Sequence, residues 1–565
     1  MSRKIVIVGG VAGGASAAAR LRRLDEQAEI VVFERSGYIS YANCGLPYYV
    51  GGVITDPEEL TLQDPESFYA RFRVHMKVHH EVTAVHPEQK TVSVRNLETG
   101  ETFEEPYDSL ILAPGARPTV PDLPGIDSER IYKLRTVEDT FALRERVVQQ
   151  GVRRAAVIGG GFIGVEVAEN LRHAGLEVTI LQRPKQVLSP LDADMAAFLH
   201  NELRKNGVQL MLGRSVTGFE TDENEIRVLL KDEDPFPADI VVLAIGVQPE
   251  TTLAKNAGLE LGVKGSIVVN DRMETSVPDV YAVGDAVQVR HFVSNEPAFI
   301  ALAGPANKQG RIAADNICGL DSRYKGSQGS SVIQVFSLTA ANTGLNEKTA
   351  SAAGIEYEKI YLSPMNHAGY YPGGEIMTLK ILFEKGSNRL LGAQIVGGAG
   401  VDKRLDVLAT AIRAGLTVLD LKDLDLAYAP PYASAKDPVN LAGFIAENLI
   451  EGRVRQFHWN EVADLPRDGS VVILDVRTPA EFARGHVDGA VNIPVNALRD
   501  HLDELPKDKP LYLICQSALR SYIGCRVLTQ LGYDCSHLAG GWRVYSANMT
   551  DRAAAKSAAP CGMER

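Results

Sequence analysis

Lys4-Ile5-Val6-Ile7-Val8-Gly9-Gly10-Val11-Ala12-Gly13-Gly14 opens the chain. Five residues of short apolar run, a glycine turn and an alanine-rich stretch to Leu24 read as strand, turn and helix. A second apolar run, Glu29-Ile30-Val31-Val32-Phe33, ends in Glu34, twenty residues after Gly14. Glycines such as Gly9 and Gly14 let backbone close on a pyrophosphate at a helix N-terminus, and an acid at that distance accepts from a ribose hydroxyl. The spacing predicts a dinucleotide-binding βαβ unit, with Val11 where a middle glycine would stand and Arg35 beside the acid. Arg3-Lys4 before the apolar run has the look of a signal peptide, but the glycines interrupt that run.

The unit recurs. Ala155-Ala156-Val157-Ile158 leads into a full G-x-G-x-x-G at Gly159, Gly161 and Gly164, followed by Val165-Glu166. The next strand, Val178 to Leu181, ends in Gln182, with Arg183 and Lys185 just beyond. A carboxylate there would repel a 2′-phosphate. Gln182 does not, and the two cations suit one, so NADH and NADPH both stay open. Two strand-to-glycine crossovers follow, Leu110 to Ala116 (with Ala113 and Gly115) and Val242 to Gly246. The segment Thr275 to Asp285 is expected to start a helix at Asp285.

With these motifs in this order, residues 1 to about 450 resemble the pyridine nucleotide-disulfide oxidoreductase family. The resemblance implies an α/β fold with two Rossmann-like domains, the first fingerprint holding FAD and the second NAD(P)H. It divides the chain into FAD-binding parts at 1–110 and 241–325, an NAD(P)H-binding and crossover part at 111–240, and an α+β dimerisation domain at 326–450. It also implies a homodimer.

Cys44 sets the chemistry. It lies in Ser40-Tyr41-Ala42-Asn43-Cys44-Gly45-Leu46-Pro47, and the next cysteine is Cys318. An internal redox disulfide at Cys44 is therefore ruled out by spacing, and the sulfur partner must be a small molecule. Single-cysteine members of the family are coenzyme A disulfide reductases and NADH oxidases or peroxidases. The latter typically carry histidine where Ala12 stands, so Asn43 to Tyr48 resembles the coenzyme A branch. Arg20, Arg22 and Arg23 cluster on the first helix, with Arg71 and Arg73 in a second basic stretch, and arginine suits phosphates. By resemblance, Ser16, Arg20, Arg23, Ser40, Asn43 and Lys436 are expected to line the coenzyme A site, with Arg71, or Arg73 which fits as loosely, as the further cation. Tyr370 and Tyr428 match tyrosines that approach the cysteine from a partner subunit. A tyrosine hydroxyl can protonate a leaving thiolate. His367 reads as a structural neighbour.

A second sulfur site follows. Val472-Ile473-Leu474-Asp475-Val476-Arg477, then Gly485-His486-Val487, then Leu511 to Ile514 leading into Cys515-Gln516-Ser517-Ala518-Leu519-Arg520-Ser521, resemble a single rhodanese domain over 455–550. A loop that opens a helix turns N–H groups toward the sulfur, the helix dipole favours thiolate, and Arg520 adds positive charge. Such a cradle can hold Cys515 as a persulfide. Ala518 stands where rhodanese loops commonly have glycine, a departure that bears on the loop's shape and on the donor. Asp475 and Arg477 are expected to organise the fold. Cys318, Cys525 and Cys535 read as small buried hydrophobes. Residues 551–565, with Cys561, form a tail.

The formal net charge of −12 argues against nucleic acid or an anionic membrane as partner, and no apolar run is long enough to span a bilayer. Six cysteines at irregular spacing make neither a disulfide framework nor a metal site, which fits a reducing cytoplasm. The function expected is NAD(P)H- and FAD-dependent reduction of coenzyme A persulfide or polysulfide through Cys44, with Cys515 handling sulfane sulfur. Three other readings stay open: a coenzyme A disulfide reductase, an NADH oxidase or peroxidase, and a sulfur carrier or persulfide sensor.

Overall fold

In the computed structural model, residues 2–557 are described. They form two compact units, Met1–Val187 with Gly207–Gly329, and Leu188–Asn206 with Ser330 onward.

The first unit carries two parallel five-stranded sheets. Strands β1 (Lys4–Val8), β2 (Glu29–Phe33), β3 (His75–Lys77) and β4 (Ser109–Leu112) belong to one, with helix α1 (Ala12–Leu24) after β1 and helix α2 (Leu46–Gly51) after the cysteine turn. The other is built from β5 (Ile131–Tyr132), β6 (Arg154–Ile158) and β7 (Glu177–Gln182), with helices α3 (Val137–Val148) and α4 (Phe162–His173). Helix α5 (Ala193–Lys205) belongs to the second unit; β8 (Val208–Leu212) and β9 (Ile240–Leu243) complete the second sheet, and β10 (Val280–Ala282) the first. The orders are β10-β4-β1-β2-β3 and β5-β9-β6-β7-β8. Each is covered by helices on one face and by a three-stranded antiparallel sheet, 80–106 or 216–238, on the other, with each glycine turn at the carboxyl end of a strand beside the point where the order reverses. Apolar runs such as Val6, Ile7, Ile30 and Val157 are fully buried, as parallel strands covered on both faces require.

One expected element differs. Asp285 lies in a single 3-10 turn, Gly284–Ala286, and the next helix, α6 (Ala303–Ile317), begins well downstream. The side chain of Asp285 is instead committed to Arg135 at 3.1 Å.

The second unit holds an antiparallel sheet and a small parallel one. The first consists of β11 (Ser331–Val335), β12 (Leu338–Gly344), β13 (Tyr357–Leu362), β14 (Thr378–Glu384) and β15 (Leu390–Gly397), in the order β11-β12-β15-β14-β13. Helices α7 (Val401–Ala414) and α8 (Pro438–Ile450) follow. The parallel sheet uses β16 (Gln456–Phe457), β17 (Val472–Asp475), β18 (Val491–Asn492), β19 (Leu511–Ile514) and β20 (Cys535–Leu538), ordered β16-β20-β19-β17-β18. Its helices include α9 (Pro479–Ala483), α10 (Leu519–Gln530) and α11 (Gly541–Ser557). Helix α11 continues past residue 550 because Asp551 pairs with His200 at 2.9 Å and with Arg204 at 2.6 Å, while Arg552 stacks on Trp459. Cys561 lies outside the described residues.

Lys380 on β14 is completely buried. Its ammonium lies 2.9 Å from Asp192 and 2.9 Å from Asp194, and also pairs with Glu347. The three carboxylates are close enough to hold a cation, and the cation they hold is this lysine. Tyr361 donates to Asp194 at 2.5 Å.

His537 on β20 is 6% exposed, and its Nδ1 has no hydrogen-bond partner among the described residues. Burial, with nearby His458, holds its imidazole down at about 4, against an ordinary 6.5. The unfolded chain therefore takes up a proton below about 6.5 that the folded chain refuses until about 4. Stability rises with pH in that window. Acidification from pH 7 to pH 5 is expected to remove about 2 kcal/mol through this residue. His537→Phe should flatten the slope of urea-unfolding stability against pH; an unchanged slope would assign the dependence elsewhere.

Candidate functional site

Two glycine cradles frame the first unit. Gly9 sits at φ +100°, and a Cβ there would lie 2.1 Å from the carbonyl oxygen of Ala113. Gly159 repeats the arrangement at φ +110°, where a Cβ would lie 2.2 Å from the carbonyl oxygen of Ala244. No side chain fits either turn, so the backbone can close on a diphosphate. The N–H of Gly10 donates to Glu34 at 2.8 Å and that of Gly160 to Gln182 at 3.0 Å. The amide thus takes the acid's structural place without its charge. Burial pushes the Glu34 carboxyl up, while the N–H groups of Gly10 and Ser36 hold it down. Arg35, Arg183 and Lys185 are exposed. Gly115 adopts φ +72°, and a Cβ there would meet the guanidinium of Arg135 at 3.2 Å.

Cys44 occupies a 3-10 turn, Asn43–Gly45, that runs directly into α2. Its side chain is exposed. Partial burial, Glu166 and Asp285 push the thiol up, and Arg135 opposes them. Arg135 organises the pocket. It reaches Asp285 at 3.1 Å and its carbonyl accepts from Tyr41 at 3.2 Å; with the Asn43 amide turned to the orientation that satisfies both its atoms, that amide exchanges two 3.3 Å hydrogen bonds with Arg135. Sequence reasoning did not single out Arg135. The only local signal is the capping box of Thr136 and Asp139 that starts α3 beside it.

Glu166 is a second residue that sequence reasoning left without a role. On α4, two residues past Gly164, it hydrogen-bonds Tyr48 of α2. Burial and neighbouring Glu169 push its carboxyl up to about 7. Tyr48 is pushed up to about 12 by burial and the same carboxylates. Ionisation of Glu166 above neutrality therefore opposes a thiolate at Cys44. Glu166→Gln is expected to raise the rate of Cys44 alkylation at pH 8 on the order of three- to tenfold, with little change at pH 6. Equal profiles for both proteins would remove Glu166 from control of Cys44.

The residues expected at the coenzyme A site divide. Ser40 has φ +46°, a strained backbone for serine, and donates its N–H to Gly10 at 2.9 Å. Ser16 donates to Asn307 at 2.6 Å, and Arg20 pairs with Asp315 at 2.6 Å, both on α6. Arg23 and Arg71 are exposed. Arg22 is a correction to the basic cluster. It is 8% exposed and donates to the carbonyls of Asp25, Glu26, Ala28, Phe72 and Arg73, so it fastens the end of α1. Tyr370, Tyr428 and Lys436 belong to the second unit and are exposed. The two tyrosine hydroxyls hydrogen-bond at 2.7 Å. His367 is buried, edge-on to Tyr371.

Cys515 directly follows β19 and is fully buried. Its thiol donates to Ser521 at 3.3 Å, and Ser521 donates to Ala518 O at 3.0 Å. Among the described residues, the N–H groups of Gln516 to Ser521 have no backbone acceptor. They lie at the opening of α10, directly after Cys515, where unpaired N–H groups and the helix dipole favour an anion. Ala518 adopts φ +71°, so alanine follows the glycine path at a cost of about 1 kcal/mol. Arg520 forms a two-pronged pair with Glu481, both contacts at 2.7 Å. Asp475 and Arg477 form a buried pair beneath the loop. A cavity of about 290 Å³ lined by Arg477, Glu481, Arg484, Gly485, Gln516 and Trp542 lies at its mouth.

These cradles, the lone cysteine and the second cysteine loop define a two-nucleotide reductase body with a sulfur-transfer domain. The chain belongs to the pyridine nucleotide-disulphide oxidoreductase family, whose signature matches residues 3–310. The family's dimerisation domain matches 330–438 and a rhodanese-like domain 458–548. Coenzyme A disulfide reductase of Staphylococcus haemolyticus is 36% identical over 79% of this chain and 100% of its own. The structure of reduced Bacillus anthracis CoADR-RHD superposes with TM-score 0.95 at 48% identity, covering 98% of this chain and 99% of that one. A NAD-dependent persulfide reductase from A. fulgidus gives 0.91 at 36% identity, covering 96% and 100%. Among the described residues no helix is long and apolar enough to cross a membrane.

Proposed function

We propose that the protein reduces coenzyme A persulfide, formed from polysulfide or a related donor, to coenzyme A and sulfide at the expense of NAD(P)H. The observation that carries this is the presence, on one chain, of a lone exposed cysteine in the field of Arg135, Glu166 and Asp285 and of a second, buried cysteine at the opening of a helix. The relatives' names, coenzyme A disulfide reductase and persulfide reductase, support it. FAD and NAD(P)H, held at the two glycine cradles, supply the two electrons.

The chain's own residues do the sulfur chemistry. The Cys44 thiolate attacks the inner sulfur of the persulfide, forming a Cys44–coenzyme A disulfide and releasing hydrosulfide. Two electrons then cleave that disulfide to the Cys44 thiolate and coenzyme A thiolate, which takes a proton. Arg135 favours the thiolate. Tyr370 or Tyr428, supplied by the partner in a homodimer, suits protonation of the leaving thiolate. Ser16, Arg20, Arg23, Ser40, Asn43, Arg71 and Lys436 are assigned to coenzyme A. Cys515 carries sulfane sulfur from a donor to coenzyme A, and its cradle stabilises the anionic persulfide. Arg520 is assigned to holding the cradle through Glu481. A cytoplasmic location completes the reading.

The test is anaerobic oxidation of NADH and of NADPH with coenzyme A persulfide, coenzyme A disulfide, polysulfide and peroxide under one condition. The highest kcat/KM is expected for persulfide or polysulfide, with sulfide appearing. A lead for coenzyme A disulfide would make thiol buffering the main role, and a lead for peroxide would overturn the assignment. Slow flavin turnover with rapid loading of Cys515 would turn the reading toward a sulfur carrier.

A further inference from the structure

Cys525 and Cys535, expected to be inert core residues, are packed against each other. Cys525 lies on α10, the helix whose first turn builds the Cys515 cradle. Cys535 opens β20, which pairs with β19, the strand that delivers Cys515. The two thiols lie near enough for each to shift the other's ionisation. Cys535 Sγ also lies 3.5 Å from the carbonyl oxygen of Cys525 and 3.2 Å from Thr529 Oγ1. The contacts make the pair unequal. Cys525 and Thr529 hold the Cys535 thiol down, while Cys525 is pushed up. The Cys535 sulfur is thus the more readily ionised of the two. Burial does not mark the pair as inert. They are 1% and 4% exposed, and Cys515, in the same apolar cluster, is 0% exposed.

We propose that Cys525 and Cys535 form a second sulfur-reactive site, a dithiol that persulfide or polysulfide oxidises to a disulfide when sulfane sulfur accumulates. The proposal rests on the reading above, that this chain meets sulfane sulfur. The Cys535 thiolate attacks the outer sulfur of R–S–SH, becoming Cys535–S–SH and releasing the thiol R–SH. The Cys525 sulfur then attacks the inner sulfur of that persulfide, the S–SH bond breaks, and hydrogen sulfide leaves. In sum, R–S–SH and two thiols give one disulfide, R–SH and hydrogen sulfide. The dithiol loses two electrons and two protons, and the sulfane sulfur gains both. Closing the bond brings the sulfurs from contact to about 2 Å and draws α10 toward β20. That movement displaces the cradle, so the oxidised form is expected to load Cys515 more slowly. Excess sulfur would in this way restrain its own entry.

The test uses the full-length protein, anaerobically, with inorganic polysulfide as probe. After exposure the protein is denatured, alkylated and mapped by mass spectrometry. A peptide cross-linked between Cys525 and Cys535 is expected in the wild type and in Cys515→Ser, and none in Cys525→Ala or Cys535→Ala. The cross-linked form is expected to load Cys515 about threefold more slowly or worse, a deficit reversed by dithiothreitol. Two alkylated thiols at these positions in the wild type overturn the proposal, and this readout needs no variant to fold. Sulfur on Cys515 is scored in the same digest. If the cross-link forms but Cys515 never loads, the dithiol stands and the assigned role of Cys515 fails.

Discussion

Cys44→Ser is expected to abolish NAD(P)H oxidation with every sulfur acceptor, a loss on the order of a thousandfold or more, because serine cannot form the mixed disulfide. Cys515→Ser should behave differently. It should leave reduction of preformed coenzyme A persulfide within about twofold and slow turnover of polysulfide about tenfold or more. Both substitutions are nearly isosteric. Cys44 is exposed, so its loss strains nothing. At Cys515 the serine hydroxyl can still reach Ser521, the residue its thiol now contacts. The contrast therefore reports chemistry and not folding. Steady-state kinetics with both acceptors checks it. Equal losses for Cys515→Ser in the two assays would sink the division of labour, and residual turnover in Cys44→Ser would move the redox step to another group.

The parts of the molecule that were legible are those where chemistry is local. Gly9 and Gly159 stand where no Cβ fits, and the strands before them are continuous apolar runs, so both turns could be read from spacing. The loop from Cys515 to Ser521 is likewise one strand end and one helix start. What escaped was made by distant residues. Arg135 becomes the cation of the Cys44 pocket only because its loop meets Asp285, 150 positions away in sequence. Glu166 lies beside the second glycine turn, but its raised carboxyl comes from burial and from Glu169. Arg22 looked like its neighbours Arg20 and Arg23, yet the turn at Phe72 and Arg73 gives it carbonyls to saturate. Cys525 and Cys535 read as small buried hydrophobes, and buried they are, but their proximity escaped because the helix-to-strand return that joins them is tertiary. Asp285 failed as a helix start because a capping-type residue promises a helix only if an apolar periodicity follows.

The largest stability effect is expected at Lys380. Burial pushes the Glu347 carboxyl up, but Lys380 and Lys359 outweigh it and hold it down at about 2. Burial pushes Asp192 up, with Lys380 opposing. Lys380→Met keeps the stem and removes the ammonium, leaving Asp192, Asp194 and Glu347 to repel one another around an apolar chain. Breaking a buried pair from one side costs about 3–5 kcal/mol. The sign of its pH dependence identifies the cause. Without the lysine, the folded carboxylates bind protons more tightly than the unfolded ones, so the variant loses stability as pH rises. It should therefore lie closest to the wild type near pH 5 and furthest from it near pH 8. The damage should also spread to the sulfur-transfer domain, because Asn548 of α11 donates to the backbone carbonyl of Asp194 at 3.3 Å. Calorimetry at the two pH values gives the first reading, and limited proteolysis at the exposed segment Glu451-Gly452-Arg453, between α8 and β16, gives the second. A deficit that does not change with pH would mean that lost packing, and not uncompensated charge, is what the substitution exposes.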